Sequence, residues 1–190
     1  MKFKITFLSL FFICALSTIA QNMESLKTDA LKYYKASTLM DYDALFATTY
    51  PKVFDIIPKE SMKEMFQQMM DNEQFSIQLV DAEPNFTFGE IKRIGSQTFC
   101  LIDHNSVMLM KFKKPMEDAE AMIAIFKKSM DAENVTFDKS SNEFKIELRA
   151  TIIGIADELT QNKWKFLNKD KENQLFNMLF DDTIKTALGL

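Results

Sequence analysis

The sequence predicts an α+β domain: helices first, then a curved, mainly antiparallel sheet, with one helix inserted among the strands and a helical tail at the C-terminus. Three observations predict it. Apolar residues recur at helical spacing through 23–37. At Gln74 the period changes to alternation. Finally, Phe144, Ile146, Leu148, Ala150 and Ile152 interleave with Lys145, Glu147, Arg149 and Thr151 in the longest strand pattern of the chain. A period of about 3.6 residues buries one stripe of a helix and a period of two buries one face of a strand, so the patterns separate the element types. Helices followed by strands give a sheet expected to be covered on one face.

The N-terminus reads as a leader. Lys2 and Lys4 precede an apolar run from Ile5 to Leu16, and Ser17-Thr18-Ile19-Ala20 closes it before Gln21-Asn22. Basic start, apolar middle and small-residue exit are the marks of a secretory signal peptide over 1–20. One mature domain over 21–190 follows, and the expected location is secreted or periplasmic. The formal charge of −4 becomes −6 when the two leader lysines go. An acidic chain repels phosphate backbones, so no nucleic-acid partner is expected. Cys14 leaves with the leader and Cys100 alone stays, which excludes an intramolecular disulfide. No later apolar stretch approaches the roughly 18 residues of a transmembrane segment.

Along the mature chain, Leu26, Ala30 and Tyr33 mark a first helix over 23–37. Asp41 is placed to cap a second, short helix carrying Leu45 and Phe46, which Tyr50-Pro51 ends. Val53, Phe54, Ile56 and Ile57 form an apolar bridge to Pro58, and a third helix runs over 59–71. Strands are expected at Phe75–Leu79, at Phe86–Ile91, from Thr98 to Asp103 and, after Asn105-Ser106, from Val107 to Phe112. Pro115 opens a helix over 116–130. Val135–Asp138 then turns through Lys139–Asn142 into the long strand at 143–156, and Gln161-Asn162 reverses the chain into 162–168. Helical patterns at Leu175–Leu179 and Ile184–Leu188 close the domain.

The stretch Ala30-Leu31-Lys32-Tyr33-Tyr34-Lys35-Ala36, followed by Asp41-Tyr42-Asp43-Ala44-Leu45-Phe46, then Tyr50-Pro51 and the paired strands at 143–156 and 162–168, resembles the nuclear transport factor 2-like (cystatin-like) superfamily. The resemblance implies a cone in which a bent sheet wraps N-terminal helices. It also implies that the cone mouth holds a small apolar ligand, serves catalysis, or is filled and used for protein contacts. It implies no particular chemistry.

Residue chemistry is sparse. His104 is the only histidine, and with Cys100 it suggests a nucleophile–base pair. Four strand residues hold the two about 13 Å apart, far beyond hydrogen-bond reach. They read instead as a core cysteine and a histidine at a strand end. No ligand spacing suits zinc or calcium. Met62/Met65/Met69 and Met108/Met110 could offer thioethers to Cu(I), but their spacings match helix and strand faces and suit pliable packing. Neither a cofactor nor a metal is expected. Gly95 fits a turn and Gly154 a bend or bulge.

These readings converge on non-enzymatic binding of an apolar small molecule or a protein partner. The pocket lining is expected from Tyr33, Phe46, Met65, Phe66, Met69, Phe99, Leu148 and Trp164, the aromatics and methionines of the inward faces. The alternative is an isomerase- or cyclase-type enzyme with a carboxylate base drawn from Asp43, Asp103, Glu147 or Asp157. A third reading is an interaction domain with a filled core.

Overall fold

The computed structural model describes residues 23–190, so the expected signal peptide lies outside the described residues. Helix α1 covers 23–38 and turns Leu26, Ala30, Tyr33 and Ala36 into the core. It ends where the Met40 N–H donates to the Ser37 carbonyl at 3.2 Å and the Asp41 N–H to the Ala36 carbonyl at 3.0 Å. This helix stop needs a left-handed residue, normally glycine, and Met40 supplies it at φ 55°. Asp41 then caps α2 (Tyr42–Thr48), its carboxylate accepting from the Ala44 N–H at 3.1 Å.

Where the sequence suggests only an apolar bridge, Val53–Ile56 forms a single helical turn, α3. The Tyr50 and Pro51 carbonyls accept from the Val53 and Phe54 amides, so the turn begins immediately after a proline whose missing N–H costs nothing there. Helix α4 (Lys59–Met70) follows Pro58.

The sheet has seven strands, all paired antiparallel. They are β1 (Phe75–Leu79), β2 (Thr87–Phe88), β3 (Lys92–Ile94), β4 (Gln97–Phe112), β5 (Asn134–Asp138), β6 (Glu143–Ala156) and β7 (Lys165–Asn168). The long β4 and β6 form the spine, in register from Thr98 opposite Ala156 to Lys111 opposite Glu143. Strands β1, β2 and β3 line the outer edge of β4, while β5 and β7 share that of β6. The expected break at Asn105-Ser106 does not occur. Arg149 and Leu148 of β6 pair with those residues and carry β4 through them, so His104 sits mid-strand. The expected second strand at Phe86–Ile91 shrinks to the short β2, with β3 following it.

Helix α5 (Ala119–Ser129) starts later than Pro115 suggests, because the Asp118 carboxylate accepts from the Ala121 N–H and caps it there. The Asn142 side chain holds the preceding loop through the Phe112 and Lys114 carbonyls and the Met116 N–H. In the connection between β6 and β7, Gln161 and Asn162 both adopt positive φ, and the Asn162 N–H donates to the Asp157 carbonyl at 2.7 Å to close the turn. The tail forms α6 (Gln174–Leu179) and α7 (Asp182–Leu188).

Even-numbered residues of β4 and β6 face one side. Over half their length Cys100, Ile102 and Ile152 pack beneath α1 and α2, together with Trp164 and Phe166. Over the other half Met110, Phe144 and Ile146 pack beneath Phe126 of α5. The opposite side differs from the single covered face that was expected. Phe99, Ile153, Ile155 and Leu167 are buried against Phe176, Ile184 and Leu188 of the helical tail. The remainder of that side is half-buried, with Asp103, Lys145 and Arg149 exposed. Gly154 pairs regularly with Cys100 and makes no bulge. Its small size serves the helix above, since a Cβ there would meet Leu26 Cδ1 at 3.1 Å.

Candidate binding site

A groove of functional interest follows from where β1 sits. Helix α4 and β1 diverge from a tight connection at 71–74, where the Asn72 carbonyl oxygen of the side chain accepts from the Gln74 and Phe75 amides. The turn between α1 and α2 closes the far end. Between them lies an open groove of about 860 Å³, lined by Thr38–Met40 and Tyr42, by Gln67, Gln68, Met70 and Asp71, and by Ile77–Asp81. That volume falls within the range of ligand sites, roughly 300–1,000 Å³.

The backbone of β1 lies along this groove with a fixed phase. The Val80 N–H donates to the Val107 carbonyl at 2.9 Å and the Lys113 N–H to the Gln74 carbonyl at 3.0 Å. In an antiparallel ladder bonded pairs alternate, so Ser76, Gln78 and Val80 turn their peptide groups to β4 while Ile77 and Leu79 turn theirs outward. Among the described residues, no hydrogen bond reaches the Leu79 N–H, the Leu79 carbonyl or the Ile77 carbonyl. The rim is braced: Tyr34 donates to the Ala82 carbonyl at 3.1 Å, and Lys35 pairs with Asp81 at 2.6 Å.

A smaller crevice of about 40 Å³ adjoins the groove, sharing Thr38, Leu79 and Val80 with it. Tyr33, Ser37, Asn168 and His104 line it, and Tyr33 donates to the Asn168 side-chain oxygen at 3.2 Å. His104 is buried edge-on against Tyr34 and Phe86. Its Nδ1 lies 2.9 Å from the Asn105 carbonyl, an acceptor, so the neutral ring carries its proton there. Burial pushes the imidazole pKa down; the Asn105 carbonyl and Asp103 pull it up and Arg149 lowers it, with a net lowering.

The residues expected to line a single pocket are dispersed. Tyr33, Phe46 and Trp164 are buried beneath α1, with Phe66 packed against their cluster. Phe99 lies on the opposite side of the sheet and Leu148 belongs to the cluster under α5. Met65 and Met69 are exposed on α4. The groove is instead built from residues the apolar count passed over. The alternation Phe75-Ser76-Ile77-Gln78-Leu79 identifies a strand, but its place at a sheet edge emerges only from the topology.

None of the four carboxylates is an inward-facing base. Asp43 and Asp103 are exposed, the latter accepting from Thr151 at 2.6 Å. Glu147 is held below the usual carboxylate range by Lys145 and Asn134. Asp157 is buried, and burial alone would raise its pKa. Hydrogen bonds from Tyr50 at 2.7 Å, Gln97 at 2.9 Å and the Thr160 N–H at 3.0 Å outweigh that, and the net shift is downward. Those same bonds tie the α2–α3 junction to the end of β6. Cys100 is buried with its thiol pushed up to about 11 by desolvation, the opposite of an activated nucleophile. Among the described residues no three of His, Cys, Asp or Glu stand close enough to hold a metal ion, and no helix is long and apolar enough to cross a membrane.

Comparison with protein-family models and with curated proteins finds no match.

Proposed function

We propose that this chain is an exported, non-catalytic binding domain whose site is the groove between β1, the end of α4 and the α1–α2 turn. The observation that carries the reading is the groove itself, a ligand-sized open space beside a strand with outward peptide groups. Around it stand the amides of Gln67, Gln68 and Gln78, the hydroxyls of Thr38 and Tyr42, the carboxylates of Asp71 and Asp81, and aliphatic side chains. The order of helices and strands supports grouping the chain with nuclear transport factor 2-like cones, in which binding without chemistry is one established use of the mouth. The leader pattern over 1–20 supports export.

Chemical-shift mapping of residues 21–190, titrated with 1-anilinonaphthalene-8-sulfonate and with capped apolar tripeptides, tests this. The expected result is saturable shifts confined to Leu39, Met70, Ile77, Leu79 and their neighbours. Saturable binding elsewhere, or no saturable binding by either probe, contradicts it.

A further inference from the structure

We infer that the groove recognises an extended polypeptide segment, which adds to the sheet as a strand alongside β1. The inference rests on the groove being the binding site and names the class of partner it takes.

Four observations carry it. First, the outward phase of β1 presents one amide donor and two carbonyl acceptors, at Leu79 and Ile77, that no described residue satisfies. This N–H and C=O pattern, repeating every second residue, is complementary to another strand and to little else, since a compact apolar molecule cannot match a linear ladder. Second, the space beside the edge is deep enough. Strands pair at about 4.7–4.9 Å, and an open groove of about 860 Å³ accommodates several residues of extended chain.

Third, the half of β1 that faces the groove lacks the protection that sheet edges normally carry; the other half is already paired, with Asp71 bridging antiparallel to Ser76 and the Asn72 N–H donating to the Phe75 carbonyl at 3.0 Å. Exposed edges invite pairing with other chains, and proteins blunt them with charges, prolines or very short strands. Here β3 carries Lys92 and Arg93, β5 ends in Asp138, β7 begins with Lys165, and β2 is only two residues long. The five residues of β1, Phe-Ser-Ile-Gln-Leu, include neither a charge nor a proline. Apart from the two-residue β2, β1 is the strand at the sheet edge that carries no charge, and it lies along the groove.

Fourth, the turn that closes the groove is fixed in place: Met40, one of the lining residues, is the left-handed stop of α1, held by its own N–H bond to the Ser37 carbonyl and the Asp41 N–H bond to the Ala36 carbonyl. The adjoining crevice, with His104 and Ser37 on its walls, offers polar contacts to a partner side chain at its mouth.

The test uses phage-displayed random octapeptides selected on residues 21–190, each selected peptide then being synthesised with single N-methylated amides. A strand exposes alternate amides to its neighbour. Methylation in one phase, facing β1, is expected to weaken binding at least about tenfold, and in the other phase to change it less than about twofold. On the protein side, Leu79→Pro removes the outward N–H without touching the ladder to β4, and should weaken binding at least about tenfold. The peptide arm needs no protein variant, so the outcome stands even if Leu79→Pro does not fold. Equal sensitivity in both methylation phases overturns the inference, as does the absence of any saturable octapeptide. If octapeptides fail while the apolar probes still shift groove residues, the groove remains a binding site for a different class of ligand. If neither binds, both readings fail.

Discussion

At the scale of single residues, two buried polar groups set how the domain responds to acid. Asp157 keeps its charge in a buried setting because Tyr50, Gln97 and the Thr160 N–H all donate to it. Its folded pKa lies below the ordinary 3.8, so the stability it contributes is present above that value and is lost as pH falls through the lower folded one. Asp157→Asn keeps the shape but loses the charge-assisted bonds, and should cost about 2–3 kcal/mol at pH 7 by urea unfolding. A loss under about 0.5 kcal/mol would contradict the assignment, that being the usual scatter of surface substitutions. His104 works the other way round. Its folded pKa is depressed by burial, so the unfolded chain, titrating near 6.5, takes up the proton more readily. Stability is therefore full above about pH 6.5 and declines as pH falls, levelling off below the folded value. Thermal midpoints measured from pH 7.5 to 5.5 should drop less in His104→Gln than in the unaltered chain. Parallel curves would show that Tyr34 and Phe86 do not enforce the neutral ring.

At the scale of elements, the seat of α1 on the sheet is a fit between Leu26 and the bare backbone of Gly154. A methyl added at Gly154 meets Leu26 Cδ1 at 3.1 Å and Phe166 and Trp164 at 3.4 Å, tight but facing one flexible side-chain end. Gly154→Ala should cost about 1–3 kcal/mol by overpacking. Leu26→Ala alone should cost about 2–5 kcal/mol, through lost burial and the cavity left. Together the two should cost at least about 0.5 kcal/mol less than their sum, because the smaller residue 26 makes room for the new methyl. Strict additivity in the double-mutant cycle would show that the helix does not bear on that glycine.

At the scale of the whole molecule, periodicity made most elements legible and left their neighbours hidden. The 143–156 strand, the cap at Asp41 and the reversal at Gln161-Asn162 were readable because each depends on local chain chemistry. The fusion of 98–103 with 107–112 was not, since only pairing with β6 carries a strand through Asn105 and Ser106. The second buried face left a trace in Ile152-Ile153-Gly154-Ile155-Ala156, where alternation gives way to continuous apolar sequence, as a strand covered on both sides requires. The candidate site was the least legible part. Counting aromatics and methionines finds packed core, whereas the groove depends on which strand lies at an edge, and its hydrogen-bonding groups belong to the backbone.

Residue-resolved amide hydrogen exchange therefore tests the account most directly. In the free protein the Leu79 amide should exchange at close to the rate of an exposed chain, while those of Gln78 and Val80, bonded to β4, are strongly protected. Adding a selected octapeptide should slow Leu79 and leave its neighbours as they were. A Leu79 amide already as protected as Val80 before any peptide is added, or unchanged at saturation, would contradict it.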